Sequence, residues 1–127
     1  MALKDLAASR ASINESVIED IVGTFARYDL NDRAIVLMSA ISSLTVRQKI
    51  LVYLTANEGW CYLDPSLQPI PASPKSLEDP LGISGGTIRG KLSELVRENL
   101  IKKDGNGYRI RSANLHKVRL EVVGSDA

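Results

Sequence analysis

The fold is decided by the stretch ISGGTIRGKL, which spans residues 83–92. Ser84 is a favoured first residue of a helix. An apolar stripe at helical spacing follows it, formed by Ile88, Leu92, Leu95 and Val96. Glycines at positions 85, 86 and 90 interrupt this pattern, and each one inside a helix costs about 1 kcal/mol relative to alanine. We therefore expect another molecule or element to approach the backbone of this helix closely.

The residues just before this stretch predict a short helix and a tight turn. Ser73 is placed to cap the short helix, and Pro74 occupies its first position, which suits proline. We expect Pro80 and Gly82 to end it. The longer helix then runs over residues 85–98, and Asn99 follows it in a place where a left-handed residue commonly ends a helix.

A hairpin is predicted after this helix. Leu100 and Ile101 begin a strand, the Asp-Gly-Asn-Gly sequence at 104–107 forms a turn, and Tyr108 to Arg111 form the returning strand. Ser112 then caps a last helix, whose apolar residues are Leu115, Val118 and Val122.

The first third of the chain predicts a helix over residues 13–25, with Ser12 and Glu15 as its capping box. For the next residues two interpretations stay open. We favour a hairpin of 26–28 against 34–37, since polar turn formers separate two β-prone runs. A helix over residues 32–44 is the alternative.

A further helix is predicted over residues 45–57, because Thr45 and Gln48 form a capping box and apolar residues recur at helical spacing. The stretch 59–74 that follows it contains four prolines. It is predicted to be a long connection, either an ordered loop packed by Trp60 and Tyr62 or a mobile one.

The order of elements over residues 45–112 resembles the winged helix-turn-helix superfamily of small prokaryotic and archaeal DNA-binding regulators. The resemblance is carried by Leu77, by Gly82 and Ile83, by Ser84 and Thr87, by Leu92 and Leu95, and by Leu100 and Ile101. Asn99 stands where that superfamily usually has glycine. The implied fold is mostly α with a small β wing, with extra helices in residues 1–44 and 113–127.

The resemblance implies binding of double-stranded DNA and a role in transcription regulation. Helix 85–98 would enter the major groove, and hairpin 100–111 would form the wing beside it. Arg89 is expected to read a base and Lys91 to contact phosphate, while Arg47, Lys75 and Ser76 are weaker phosphate candidates. The full set of expected DNA contacts is Ser84, Gly85, Gly86, Thr87, Arg89, Lys91, Lys102, Lys103, Asn106, Arg109 and Arg111.

The charge distribution agrees with a polyanionic partner. Residues 84–119 contain nine lysines and arginines against three acidic residues, whereas residues 1–83 contain seven basic and ten acidic residues. A solvated basic surface without a partner remains the alternative. For the glycines, the alternative is close packing of the helix on a neighbouring element.

Several other classes of protein are disfavoured. Cys61 is the single cysteine, which excludes an intrachain disulfide and fits a reducing cytoplasm. His116 is the single histidine, and neither a metal-ligand spacing nor a catalytic motif accompanies it. No apolar run reaches the length of a membrane span. We expect no enzyme activity, cofactor, metal or membrane partner.

Three questions of assembly and partner stay open. The apolar stripes of the first and last helices either pair across a two-fold axis, giving a homodimer, or fold back on their own domain. A protein-docking module is the main alternative to a DNA-binding function. A small-ligand sensor that uses residues 60–74 as a lid is a third hypothesis.

Overall fold

The computed structural model describes residues 14–124, a mostly helical chain with two small antiparallel hairpins. This confirms the predicted α-rich class with a small β element. The elements in chain order are α1 (residues 14–22), β1 (Ala26–Asp29), β2 (Ala34–Leu37), α2 (Val46–Glu58), α3 (Trp60–Leu63), α4 (Pro74–Leu81), α5 (Gly85–Arg97), β3 (Ile101–Asp104), β4 (Gly107–Ile110) and α6 (Leu115–Val122). Short 3₁₀ turns occupy Ser39–Ser43 and Ser112–Asn114.

The first hairpin, β1–β2, confirms the favoured interpretation of residues 26–37, and the alternative helix over 32–44 is wrong. Its register pairs Ala26 with Leu37 and Tyr28 with Ile35. The Asp29 carboxylate accepts the N–H groups of Asn31 (3.0 Å) and Asp32 (3.1 Å), which fixes the turn. The predicted Ser12 cap of α1 lies outside the described residues.

Helix α2 begins at the predicted capping box. The Thr45 hydroxyl accepts the Gln48 N–H (3.2 Å), and the Gln48 side chain accepts the Thr45 N–H (2.9 Å). The connection after α2 differs from the prediction, because its first residues form the short helix α3. Trp60 begins α3 and is fully buried, so this end of the connection is fixed by packing.

The prediction that Pro80 ends α4 is wrong, because Pro80 lies inside this helix. Proline in the last turn removes only one backbone hydrogen bond, and the helix continues to Leu81. Gly82 ends the helix in a left-handed conformation (φ 64°), and its N–H bonds the Glu78 carbonyl at 2.8 Å. The predicted cap is confirmed: the Ser73 hydroxyl accepts the Ser76 N–H at 3.1 Å.

Helix α5 begins and ends close to the predicted positions, but its first cap differs. Ser84 is at the N-cap position without a side-chain capping bond, because its hydroxyl donates to the Thr87 hydroxyl instead (3.0 Å). Asn99 adopts the expected left-handed conformation (φ 62°). The Leu100 N–H bonds the Leu95 carbonyl (3.1 Å), which turns the chain directly into β3.

The second hairpin, β3–β4, pairs Ile101 with Ile110 and Lys102 with Arg109. A bridge on the outer side of β4 joins it to the residue before the α4 cap. The Ala72 N–H bonds the Tyr108 carbonyl (3.1 Å), and the Tyr108 N–H bonds the Ala72 carbonyl (2.9 Å). The hairpin is therefore tied to the beginning of α4 as well as to the end of α5.

One hydrophobic core joins all three predicted segments of the chain. It includes Ile21 of α1, Leu54 of α2, Leu92 of α5 and Val118 of α6, each at most 1% exposed. The apolar stripes of α1 and α6 thus fold back on their own chain, and they are not available as a dimer surface. No described helix is both long and apolar enough to cross a membrane.

Candidate nucleic-acid interface

Helix α5 presents one face to the core and the other to solvent. Ile88, Leu92 and Leu95 are fully buried, and they hold α5 against α4, α2 and β3. On the opposite face, Gly86, Thr87, Arg89 and Gly90 are exposed, and Ser84 is exposed at the N-cap. The fold therefore leaves most residues of the glycine-rich stretch exposed to solvent along the first half of α5.

The three glycines of α5 are in two different environments. A Cβ added at Gly86 or Gly90 would meet no described atom within 4 Å, so close packing does not account for either residue. Gly85 is buried, and a Cβ there would lie 3.2 Å from the Glu78 carboxylate. The packing alternative thus applies to Gly85 and not to the other two.

The first turn of α5 has the electrostatic character expected of a helix start. Ser84 forms no side-chain cap, and within residues 14–124 the N–H groups of Gly85, Gly86 and Thr87 have no hydrogen-bond acceptor. The positive end of the helix dipole lies at the same place. Anions are attracted to such an end. Glu78 is the nearest anion that the chain itself supplies.

The second hairpin carries most of the other expected contacts. Lys102, Lys103, Asn106 and Arg111 are exposed. Arg109 is different, because its guanidinium donates to both Glu58 carboxylate oxygens (2.9 and 3.0 Å) and lies 3.5 Å from Asp104. The bonds to Glu58 raise the pKa of Arg109 above its ordinary value. Arg109 was expected to contact DNA, and the structure instead uses it to fix the hairpin to α2.

Lys91 was expected to contact phosphate, and it has a partner within its own helix. Its ammonium lies 3.3 Å from the Glu94 carboxylate, and the lysine is half-buried. An exposed pair at this spacing contributes little to stability and opens readily. Lys91 is thus screened in the free chain but still accessible to a polyanion.

Arg47 was a weaker phosphate candidate, and in the described structure its guanidinium is paired with carboxylates of its own chain. Its guanidinium bonds Glu98 after α5 (2.5 Å) and Glu121 of α6 (2.5 Å), and it lies 3.7 Å from Glu94. The bond to Glu98, followed by that to Glu121, raises the pKa of Arg47, and Arg47 holds the pKa of Glu98 below its ordinary value. Arg47 therefore ties α2, α5 and α6 together at the end of α5 farthest from its glycines.

After these pairings, the described part of the chain leaves four of the expected cationic contacts without a salt bridge: Arg89, Lys102, Lys103 and Arg111. Helix α5 packs against β3, so the two elements that carry them are neighbours. Exposed guanidinium and ammonium groups of this kind bind phosphate oxygens, and a guanidinium also recognises guanine edges.

Sequence reasoning missed the acidic residues that restrain this surface. Glu58 is 7% exposed and orients Arg109, while Glu78 lies over the first residue of α5. Glu58 has no local sequence signature. One signal was available for Glu78: it precedes the left-handed Gly82 by four residues, so it lies in the turn of α4 that faces the start of α5.

A cleft of about 200 Å³ lies on another side of the hairpin base. Glu58 and Arg109 line it, but their polar atoms are already bonded to each other. The other lining residues are Asn14, Ile18, Cys61, Tyr62, Pro69, Ser112 and Leu115. Across residues 14–124, no cluster of histidine, cysteine and acidic side chains is arranged to hold a metal ion.

Comparison with known proteins adds no relative, since no protein-family model, no curated protein and no solved structure matches the chain.

Proposed function

We propose that the chain binds double-stranded DNA through a winged helix-turn-helix formed by residues 45–112. In this proposal α5 lies in the major groove and β3–β4 is the wing. One observation carries it: the outer face of α5 is bare at Gly86 and Gly90 and adjoins a hairpin with exposed, unpaired lysines. Such a surface combines close backbone approach with phosphate-binding charge.

The arrangement of the elements supports the proposed architecture. Gly82 turns the chain sharply between α4 and α5, and Asn99 turns it from α5 into the hairpin. The bridge between Ala72 and Tyr108 adds a one-residue third strand, placed just before α4.

The proposed contacts have different roles. Arg89 reads a base, since guanidinium takes guanine O6 and N7 together. Lys102, Lys103 and Arg111 bind phosphates and supply affinity that is independent of sequence. Arg109 positions the wing through Glu58 and does not itself contact DNA.

Transcription regulation and a dimeric form belong to the same proposal. Because the apolar stripes of α1 and α6 are buried, a dimer needs another surface. Leu120 (54% exposed) and Val123 (48%) lie one turn apart at the end of α6, and they offer an apolar contact. A dimer formed there would read a symmetric site.

The test begins with selection of bound duplexes from a random pool, followed by anisotropy titration of the selected sequence at several salt concentrations. Arg89→Ala should reduce the preference for one base pair, by about 1–3 kcal/mol at that position. Lys102→Ala with Lys103→Ala should weaken binding to all sequences and reduce the salt slope by roughly 0.9 for each lost phosphate contact.

Matched controls come from the first hairpin. Arg27→Ala with Arg33→Ala removes the same charge as the lysine pair, from a hairpin that packs mainly against α2 in the described structure. Their DNA affinity should stay close to that of the wild type. Equal weakening by the two pairs would mean that net charge alone governs binding, and it would contradict the proposed surface.

Protein docking is a second candidate, favoured by the exposed Leu120 and Val123. It predicts that selection from the random pool enriches no sequence. It also predicts that Leu120→Ser abolishes binding of the partner without changing affinity for DNA. Enrichment of one motif, reduced by Arg89→Ala, favours DNA reading over docking.

A further inference from the structure

Glu78 is an acidic residue inside the surface that we propose for DNA. A Cβ at Gly85 would lie 3.2 Å from its carboxylate and 3.3 Å from Nη1 of Arg89. The two charged groups therefore approach the same point above α5. They form no salt bridge within residues 14–124, so the carboxylate lies beside the Arg89 guanidinium without binding it directly.

The turn between α4 and α5 fixes the backbone of Glu78. The Glu78 carbonyl accepts the N–H groups of Gly82 (2.8 Å) and Ile83 (3.4 Å). The backbone of Glu78 is thus part of the turn, and the residue is half-buried against α5. Asp79, the next residue, is exposed on the same helix.

A carboxylate at this point acts unequally on the two kinds of DNA contact. Phosphates carry full negative charge, and the Glu78 carboxylate opposes the attraction that the free N–H groups at the start of α5 exert on them. Base edges in the major groove are neutral dipoles, and Arg89 can still reach them. Because phosphate contacts supply most of the affinity for arbitrary sequences, the repulsion falls mainly on sequence-independent binding.

We propose that Glu78 is a specificity-determining residue that limits sequence-independent binding of α5 to the DNA backbone. This inference rests on the proposed DNA-binding function. The Glu78 carboxylate lowers the affinity of the start of α5 for arbitrary duplexes. It thereby raises the ratio between the affinity for a duplex that Arg89 recognises and the affinity for a random duplex.

The test compares Glu78→Gln with Asp79→Asn, which removes the same charge from the neighbouring exposed residue. Each full-length chain is titrated with a selected duplex and a random duplex over a range of salt. Glu78→Gln should bind the random duplex several-fold more tightly, with a salt slope steeper by about 0.9 for one added phosphate contact. Its affinity ratio between the two duplexes should fall, and Asp79→Asn should change both quantities less.

The outcomes separate this inference from the function on which it rests. If the wild type binds DNA and the two variants behave alike, the role of Glu78 is overturned and the DNA-binding function stands. If neither the wild type nor Glu78→Gln binds any duplex, both are overturned. Glu78→Ala, which also lacks the carboxylate, should reproduce Glu78→Gln, and circular dichroism should show that each variant is folded.

Discussion

The two hairpins are similar in length and differ in how they are held. Both are attached to the last turns of α2. The first hairpin uses a neutral anchor, in which the Tyr28 hydroxyl donates to the Ala56 carbonyl (2.6 Å) and its ring meets the edge of Trp60 (centroids 4.9 Å apart). The second uses an ionic anchor, in which Arg109 bonds Glu58. The neutral anchor should be insensitive to salt because it contains no charged group, whereas the ionic anchor weakens when salt screens its charges.

This difference shows how one small motif serves two purposes. The first hairpin covers Trp60 with a tyrosine and with Arg33, whose Cζ lies 5.2 Å from the ring centroid, so its side chains close the core. The second hairpin uses one charged side chain, Arg109, for its ionic contact with α2, and Lys102 and Lys103 stay exposed. The first hairpin thus contributes to folding, and the second also supplies exposed positive charge to the surface that we propose for DNA.

The largest expected effect comes from breaking the neutral anchor. Trp60→Ala should lower the free energy of unfolding by about 3–5 kcal/mol, because Trp60 is fully buried. Trp60→Phe should lose less, since within the described residues the buried Nε1 of Trp60 finds no acceptor and phenylalanine removes that unpaired donor. Urea unfolding measures both. If Trp60→Phe lowers the free energy of unfolding as much as Trp60→Ala does, the benefit expected from removing the unpaired indole N–H is contradicted.

The ionic anchor should give the next largest effect. Glu58→Gln should lower the free energy of unfolding by about 2 kcal/mol, because a half-buried guanidinium loses its charged acceptor. Asp104→Asn is the control, since its 3.5 Å contact with the same arginine is exposed and should be worth less than about 0.5 kcal/mol. Added salt should reduce the first loss. If the two losses are equal, Glu58 is not the anchor.

Tyr28→Phe should cost about 1 kcal/mol at neutral pH, through loss of the bond to Ala56. Burial raises the pKa of Tyr28 to about 12. The folded chain therefore keeps this proton when the unfolded chain loses it, and the wild type should lose stability from pH ~10 upward to about 12. The Tyr28→Phe variant should lose less of its free energy of unfolding over the same pH range. Parallel stability–pH curves would contradict the buried phenol.

The smallest expected effect concerns the cation over Trp60. Arg33→Ala should cost about 0.5–1 kcal/mol, the usual contribution of an exposed cation–π contact. Lys117→Ala removes an exposed cation that forms no hydrogen bond or salt bridge within residues 14–124, and it should change the denaturation midpoint very little. An equal shift for the two variants would assign the effect to charge rather than to stacking.

Local signals predicted most of the elements, and the reason is that each depends on a few neighbouring residues. The capping box of Thr45 and Gln48 is closed within four residues, and Asn99 ends α5 through its own left-handed conformation. The favoured hairpin 26–37 follows the same rule. Pro80 was misjudged because it removes only one hydrogen bond in the last turn of this short helix, and the left-handed Gly82 is the residue that ends the helix.

The ion pairs of the candidate surface were not predictable in the same way. Arg109 and Glu58 are 51 residues apart, and Arg47 and Glu121 are 74 residues apart. With 16 basic and 15 acidic residues, the sequence allows many pairings, and only the packed core decides which ones meet. The expected contacts Arg109 and Lys91 were therefore assigned from charge and spacing, without knowledge of their acidic neighbours.

The bridge between Ala72 and Tyr108 occupies the outer edge of β4, and the outer edge of β3 has no strand partner in residues 14–124. Open strand edges invite pairing between copies and then aggregation, and lysine is a residue that natural sheets place there to prevent it. We therefore expect Lys102 and Lys103 to oppose such pairing as well. A lysine-free hairpin should precipitate at lower concentration than the wild type, and glutamate in place of either lysine should restore solubility.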